Sequence, residues 1–148
     1  GAGKVSLQWW HFNFFEYGIS TKTGFIDFFL PKNPEFVSGS SINQQNINEN
    51  EKIQVQMKSF RDICKELNHS KIDILKIDIE GSEYDVINDI LKSEIQISQI
   101  LIEFHDRFIE NGIEKTRQTV ENLKNKGFEI FAVSDSFEEV SFINLKLQ

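Results

Sequence analysis

The sequence predicts an α/β fold, with a mainly parallel sheet, helices on both faces of the sheet and an antiparallel last strand. Two observations lead to this prediction. Short apolar runs alternate with segments of helical period between residues 53 and 126, and this alternation is typical of parallel strands joined by helices. Two further apolar runs, 128–133 and 140–145, are separated by a short link, which favours an antiparallel pair.

Length and composition exclude several classes of protein. The chain has 148 residues, the usual size of one domain, so we expect a single domain over 1–148. Lys and Arg number 16 against 23 Asp and Glu, a net charge of −7, which does not suit a nucleic-acid partner. No apolar run approaches the roughly 20 residues that span a membrane, so we expect no membrane partner.

The single cysteine, Cys64, excludes an intrachain disulfide framework and a cysteine-based zinc cluster. A reducing compartment is the simplest match for this cysteine usage, so we expect a cytoplasmic protein. Cys64 also lies on the apolar stripe of a predicted helix, which favours a core thiol over a nucleophile.

The first third of the chain has β character after an unpatterned segment, 1–8. Residues 12–17 and 25–30 are rich in aromatic and β-branched residues, so each is predicted to be a strand. The segment 18–24 between them has the composition of a hairpin-like connection. Residues 38–51 are polar and predict either a surface loop or a substrate lid.

A first helical unit follows this polar segment. Residues 53–57 alternate between apolar and polar and predict a strand with one buried face. Ser59 and Asp62 form an S-x-x-D capping pattern, which predicts that a helix begins here. The apolar residues of this helix recur at helical spacing and form one stripe: Phe60, Ile63, Cys64 and Leu67.

Two more strand–helix units complete the pattern. Residues 72–78 and 100–104 are short apolar runs, as expected of buried parallel strands. A helix capped by Ser82, again with S-x-x-D, follows the first of these strands. A helix over 114–126 follows the second, with Ile113, Val120 and Leu123 predicted to face inward, and Gly127 suits its C′ position.

Charged residues that can bind ligands or transfer protons lie where two of these strands end. Asp78, Glu80 and Glu83 follow the first strand, and Glu103 and His105 close the second. Ligands of doubly wound sheets bind outside the carboxyl ends of the strands. If the two strands are neighbours, these side chains converge on one edge of the sheet.

Two chemical uses fit such a cluster. Carboxylates favour a cationic ligand, such as a sulfonium or a hydrated Mg²⁺, and a histidine beside them can act as a general base on a hydroxyl. Structural roles remain open for each residue. Asp78 can cap a turn, and Glu103 can pair with Lys76 or Arg107. Glu83 can be a first-turn carboxylate that is stabilised by the helix dipole.

Two segments, 72–83 (IDILKIDIEGSE) and 100–108 (ILIEFHDRF), resemble the signature of the FkbM-type methyltransferases. The resemblance extends from about residue 14 to residue 145. It implies a Rossmann-like class I methyltransferase fold and an S-adenosylmethionine-dependent enzyme. It also implies O-methylation of a small-molecule hydroxyl acceptor, namely a sugar or a related natural product.

The resemblance also implies roles for matching residues. Asp78 stands where such enzymes place a polar group near the methionine end of the cofactor, and Glu80 and Glu83 match the signature carboxylates. These three residues are therefore the expected cofactor-binding residues. Glu103 and His105 match the pair that faces the acceptor. We expect His105 to be the catalytic base, with Asp78 the second candidate and Glu103 beside them. Asp78 and Glu80 could instead hold a divalent metal.

One departure from the family pattern stands out. A glycine-rich loop after a first strand, and an acidic residue after a second, normally bind the cofactor, and neither is recognisable in this sequence. We therefore expect the C-terminal part of a methyltransferase domain, binding S-adenosylmethionine weakly and inactive alone. Its exposed sheet edge is a surface through which a homodimer can form.

Two other functions stay open at this point. A non-catalytic binding module could use the same fold, since the cofactor loop is not recognisable. A metal-dependent hydrolase could use the acidic cluster, and it would bind Mg²⁺ or Mn²⁺ without responding to S-adenosylmethionine.

Overall fold

The structure, a computed structural model, describes residues 3–7, 10–31 and 47–147. The chain divides into two compact units, Gly1–Ser59 and Phe60–Gln148. Both strands and helices are present, so the α/β prediction is confirmed. The single domain over 1–148 stays a prediction. None of the helices in the described part of the chain is long and apolar enough to cross a membrane.

The described residues of the first unit form five strands. β1 (Gly3–Leu7) pairs antiparallel with β2 (Trp10–Phe14). β3 (Gly18–Ser20), β4 (Gly24–Pro31) and β5 (Ile47–Ser59) form a second sheet in the order β3-β5-β4. β3 runs parallel to β5, and β4 runs antiparallel to it.

Two predictions for this unit need correction. The segment 18–24 is not a hairpin, because β3 and β4 each pair with β5 and not with one another. The polar segment 38–51 is not a loop throughout, because β5 begins at Ile47. Ile47 and Lys52 pair with Pro31 and Phe29 of β4, and composition does not report such pairing. Residues 38–46 of the predicted lid lie outside the described residues.

The second unit has three helices and one mixed sheet. Its helices are α1 (Phe60–Glu66), α2 (Glu83–Leu91) and α3 (Gly112–Asn125). Short 3₁₀ turns follow at Asp106–Phe108 and Leu145–Leu147. Its strands, in chain order, are β6 (Lys71–Ile77), β7 (Gln96–Glu103), β8 (Phe128–Val133) and β9 (Glu139–Asn144).

The sheet of this unit has the strand order β6-β7-β9-β8. β6 and β7 are parallel, whereas β9 is antiparallel to both of its neighbours. Three of the four strands therefore run in one direction, and the last strand of the chain is inserted between them in reverse. The predicted antiparallel last strand is confirmed. β6 and β8 are the outer strands of this sheet, and the homodimer stays a prediction.

The described helices of this unit lie side by side, since α1 contacts α2 and α2 contacts α3. The expectation of helices on both faces is not met by these residues. From β6 to β7 and from β7 to β8 the chain crosses the sheet in one direction. Two right-handed crossovers in one direction place both helices on one face. Alternation along a sequence does not reveal this direction.

The core of the second unit lies between the sheet and the helices. Its fully buried side chains include Ile87 of α2, Ile100 of β7, Leu123 of α3 and Phe142 of β9. Leu123 was predicted to face inward, and this is confirmed, but Ile113 is 79% exposed. Besides Leu123, the buried residues of α3 are Gly112 and Thr119, which are smaller and each stand one position before the predicted Ile113 and Val120.

Candidate functional site

The candidate site lies where β6 and β7 end. Ile77, the last residue of β6, pairs with Ile102 of β7, so the two parallel strands finish at the same level. Asp78 follows directly after β6, and Glu103 is the last residue of β7. The parallel register therefore brings together the two sequence segments that carry the predicted site, as expected for neighbouring strands of an α/β sheet.

A tight turn separates β6 from α2. Glu80 and Gly81 both have positive φ angles, 53° and 102°, and glycine accepts such a conformation without the penalty of a Cβ atom. Ser82 occupies the N-cap position of α2, but its hydroxyl makes no capping hydrogen bond. The predicted serine cap is therefore wrong. The Glu83 carboxylate accepts the turn's Gly81 N–H instead, at 2.8 Å.

Glu83 is the most buried charged residue of the site. Its side chain has no exposed surface. Besides the Gly81 bond, its Oε1 accepts the backbone N–H of His105 at 2.8 Å and lies 3.0 Å from His105 Nδ1. One carboxylate thus joins the start of α2 to the segment that follows β7. A buried carboxylate is tolerated when hydrogen bonds replace its water.

The other ring nitrogen of His105 faces three more carboxylates. His105 Nε2 lies 3.6 Å from Glu80 Oε2, 3.8 Å from Asp78 Oδ1 and 3.9 Å from Glu103 Oε1. The imidazole is 9% exposed, whereas the side chains of Asp78, Glu80 and Glu103 are 40%, 51% and 31% exposed. The histidine therefore forms the buried wall of an acidic, solvent-accessible cluster.

The basic residues near this cluster pair differently from the predictions. Lys76 Nζ lies 3.9 Å from Asp78 Oδ2, and Arg107 Nη2 lies 2.5 Å from Glu138 Oε1. A pair of Glu103 with Lys76 or Arg107 was one open structural alternative, but the ionic neighbour of Glu103 is His105. Lys76 is 63% exposed, so its charge is largely screened by water. The cluster therefore keeps an acidic surface.

Comparison with known proteins agrees with this geometry. A model of the FkbM methyltransferase domain matches residues 9–130, which include both strand ends and all five site residues. The chain belongs to the FkbM methyltransferase family. Neither the comparison with curated proteins nor the comparison with solved structures gave a match. The predicted family is confirmed, and the roles of individual residues stay predictions.

Two aromatic residues of the FkbM chain stand next to cluster residues in the sequence. Tyr84 and Phe104, the neighbours of Glu83 and His105, are stacked with their centroids 5.9 Å apart. Tyr84 also shares a hydrogen bond of 3.0 Å with Thr116 of α3. Burial raises the pKa of the Tyr84 hydroxyl, and the Glu83 and Asp106 carboxylates raise it further. Tyr84 therefore stays protonated at neutral pH and holds α2 against α3.

The cluster also contains the donor atoms of a possible metal site. Asp78, Glu80 and His105 each offer one ligand atom, and these three atoms lie within 4.8 Å of one another. Oxygen and imidazole donors suit Mn²⁺ or Zn²⁺ better than Mg²⁺, which prefers oxygen alone. Asp78 and Glu80 were predicted as alternative metal ligands, and His105 is the addition that the structure contributes.

A groove that sequence reasoning missed lies beside Glu103. It has a volume of about 370 Å³. Aliphatic side chains of three strands form part of its wall, and Lys76, Glu103 and Glu139 bring charge to it. Its residues come from β6, β7, β8, β9 and the link between β8 and β9, so only the strand order brings them together. The groove offers carboxylates and hydroxyls to a polar ligand directly beside the cluster.

Proposed function

We propose that the FkbM chain takes part in S-adenosylmethionine-dependent O-methylation of a small-molecule hydroxyl, with a sugar or a sugar-like natural product as the acceptor. The observation that carries this proposal is His105 Nε2, which lies within 3.9 Å of three carboxylates at the ends of β6 and β7. Membership of the FkbM family supports methyl transfer as the reaction.

The fold supports a class I methyltransferase. These enzymes have a Rossmann-like sheet whose last strand is reversed. The order β6-β7-β9-β8, with β9 antiparallel to both neighbours, matches the closing half of such a sheet. The site lies at the carboxyl ends of the parallel strands, where α/β folds bind their ligands.

The residues present suit the cofactor. The cationic groups of S-adenosylmethionine need negatively charged partners, and the exposed carboxylates of Asp78 and Glu80 can provide them. Lys76, which lies 3.9 Å from Asp78, is the basic side chain that competes for this carboxylate. Asp78 and Glu80 are therefore the residues proposed to hold the cofactor. Glu83 has no exposed surface to offer, so contact with the cofactor is not proposed for it. When bound, S-adenosylmethionine supplies an electrophilic methyl group on a sulfonium.

His105 is the proposed base. An acceptor hydroxyl that donates to Nε2 would lie among the carboxylates of Asp78, Glu80 and Glu103. As the hydroxyl oxygen bonds to the methyl carbon, the carbon–sulfur bond would break, its electron pair would stay on the sulfur of the departing S-adenosylhomocysteine, and Nε2 would accept the hydroxyl proton. The resulting imidazolium is stabilised by the surrounding carboxylates. Holding the hydroxyl in line with the methyl group supplies much of the remaining rate enhancement.

Two-dimensional ¹H–¹⁵N NMR tests the cofactor part of this proposal, since it detects weak binding. S-adenosylhomocysteine is titrated to about 1 mM. We expect saturable shifts of the amides in 78–83 and 103–106, and loss of these shifts in Asp78→Asn. Asp85→Asn, which removes an exposed carboxylate from the first turn of α2, should leave these shifts intact. No saturable shift at either strand end would overturn the proposal.

A divalent cation at the same site is a second candidate, because three donor atoms of Asp78, Glu80 and His105 lie within 4.8 Å. Such a cation would bind the acceptor oxygen directly. Titration with Mn²⁺, followed by its electron paramagnetic resonance signal, tests this candidate. Saturable binding that is lost in both Asp78→Asn and Glu80→Gln would support it. Equal uptake by the variants and the wild type would reject it.

A further inference from the structure

The partners of Glu83 restrict where the proton of His105 lies. Two backbone N–H groups and one ring nitrogen point at its two oxygens: Gly81 N–H at 2.8 Å, His105 N–H at 2.8 Å and His105 Nδ1 at 3.0 Å. A carboxylate has lone pairs and no proton to donate. Nδ1 therefore has to carry a proton for the third contact to be a hydrogen bond.

The tautomer of a neutral imidazole follows from this contact. One ring nitrogen of a neutral histidine is a donor and the other is an acceptor, and the hydrogen bond of the first decides the second. With the proton on Nδ1, the lone pair of His105 stands on Nε2. That nitrogen faces Asp78, Glu80 and Glu103, whose carboxylates are also acceptors.

With its lone pair on Nε2, the ring and the three carboxylates that it faces are therefore all hydrogen-bond acceptors. The distances from Nε2 to the three carboxylates, 3.6 to 3.9 Å, are longer than a hydrogen bond. A ligand that enters between these acceptors has to bring a hydrogen-bond donor or a positive charge, and an alcohol hydroxyl is such a donor. In the other tautomer Nε2–H would face the carboxylates, and no lone pair of the ring would meet the hydroxyl.

We propose that Glu83 is the positioning residue of the site, and that it holds His105 with its proton on Nδ1 and its lone pair on Nε2. This inference rests on the proposed function, in which Nε2 accepts the proton of the acceptor hydroxyl. Glu83 acts through His105 and touches neither substrate nor cofactor, in keeping with its complete burial. Because it also fixes Gly81 and the His105 backbone, ring and loop are held by one carboxylate.

The wild-type chain, labelled with ¹⁵N at histidine and treated with EDTA, provides the first test. Long-range ¹H–¹⁵N spectra at pH 8, well above the ordinary pKa of imidazole, report which nitrogen carries the proton. Variants His11→Gln and His69→Gln assign the three histidines. We expect His105 to show a protonated Nδ1, a lone-pair Nε2 and a nuclear Overhauser contact from the Nδ1 proton to Glu83. A protonated Nε2 would overturn the inference even if no variant folds.

Glu83→Ala and Asp85→Asn then separate positioning from a general loss of charge. Asp85 lies in the same first turn of α2 but is exposed. Without the acceptor at Nδ1, we expect the His105 signals to change from one tautomer to a mixture of both. Asp85→Asn should keep the single tautomer. A folded Glu83→Ala chain with an unchanged tautomer, or an equal change in Asp85→Asn, would contradict the assignment.

The two proposals fail in different ways. If S-adenosylhomocysteine does not bind but the tautomer is as expected, the proposed function falls and the placement of the His105 proton stands. If S-adenosylhomocysteine binds and Nε2 carries the proton, the positioning role of Glu83 and the base role of His105 both fall, and the cofactor part of the proposed function stands. The tautomer is read without cofactor or acceptor, so neither result depends on the other.

Discussion

His105 joins four carboxylates through one ring. Nδ1 contacts the buried Glu83, and Nε2 faces Asp78, Glu80 and Glu103. The two sides of the ring differ in exposure, since Glu83 is fully buried and the other three carboxylates are between 31% and 51% exposed. The buried Glu83 therefore holds the orientation of the His105 ring, and the Nε2 side of the ring is the side that is open to a ligand.

Replacement of His105 by alanine is expected to lower methyl transfer about 100-fold, because a positioned base typically contributes at least this factor. Because the chain is expected to be inactive alone, the measurement uses the native translation product and follows the transfer of a labelled methyl group from S-adenosylmethionine to an acceptor found by screening sugars. His69→Ala is the matched control, since His69 is exposed and lies outside the site. A loss of similar size in both variants would show that His105 is not specific to the reaction.

Cys64 gives a pH-dependent prediction in the core. Burial raises the pKa of its thiol above the ordinary value of 9.0. Because the folded chain binds the thiol proton more tightly than the unfolded chain, the thiol contributes its full stabilisation below about pH 9.0, the pKa of the unfolded thiol. This contribution is lost as the pH rises through the higher pKa of the folded chain. The stability advantage of the wild type over Cys64→Ala should therefore shrink between pH 8 and about pH 10.

Urea unfolding of both Cys64 proteins at several pH values measures this difference. Tyr84, whose pKa is also raised, titrates in the same alkaline range but is present in both proteins, so its effect cancels. A difference in the free energy of unfolding that stays constant with pH would show that the thiol ionises as easily in the folded chain as in the unfolded one.

At the scale of elements, α2 and α3 are joined by two side-chain hydrogen bonds. Tyr84 bonds to Thr116 at 3.0 Å, and Asn122 donates to Asn88 at 3.0 Å. A double-mutant cycle of Tyr84→Phe and Thr116→Val should give a coupling free energy of about 1 kcal/mol, typical of a partly buried hydrogen bond. The cycle is measured by urea unfolding.

The more exposed pair Gln118–Asn122 on α3 provides the control cycle. There we expect a coupling close to zero, because water replaces the lost partner of an exposed amide. Equal couplings in both cycles would indicate that Tyr84 contributes through its ring alone, since the phenyl ring of the Tyr84→Phe variant would keep the stacking on Phe104.

Element type was easier to predict from the sequence than element arrangement. The range of β8, 128–133, was predicted without error, because a glycine C′ residue and a turn bound it. The place of β9 between β7 and β8 was not predicted, since that order depends on tertiary pairing. Ile113 was misassigned because hydropathy cannot show that α3 packs closely through Gly112, which lies against the backbone of Asp106.

The sequence predicted which residues form the site, but it did not predict the contacts between them. Asp78, Glu80, Glu103 and His105 converge as the strand ends indicated. Glu83 stood at a helix N-terminus, where acidic residues are favoured for the dipole alone. Only its complete burial and its contacts with His105 distinguish it from such a residue. Burial of one carboxylate among several on the same loop leaves no signal in the sequence.

At the scale of the whole molecule, side-chain burial is described for residues 11–27 and 53–147, and among these the buried hydrophobic side chains belong to the second unit, from Phe60 to Phe142. The candidate site belongs to the same unit. In the first unit, Phe12, Phe14 and Phe25 are between 56% and 68% exposed. Burial of apolar surface drives folding, so we expect the main contribution to stability from residues 60–148.

A chain of residues 60–148 should therefore fold alone and unfold cooperatively, because it keeps the sheet β6-β7-β9-β8 and all three helices. Circular dichroism on heating and the dispersion of its ¹H–¹⁵N spectrum measure this. Leu123→Ala in the shortened chain is the control for a real core, since Leu123 is fully buried and its truncation should cost about 2–5 kcal/mol. The shortened chain should also keep the single His105 tautomer, because Gly81, Glu83 and His105 all lie within it. A disordered product would show that the second unit needs residues 1–59 to fold, and would favour the predicted single domain over 1–148.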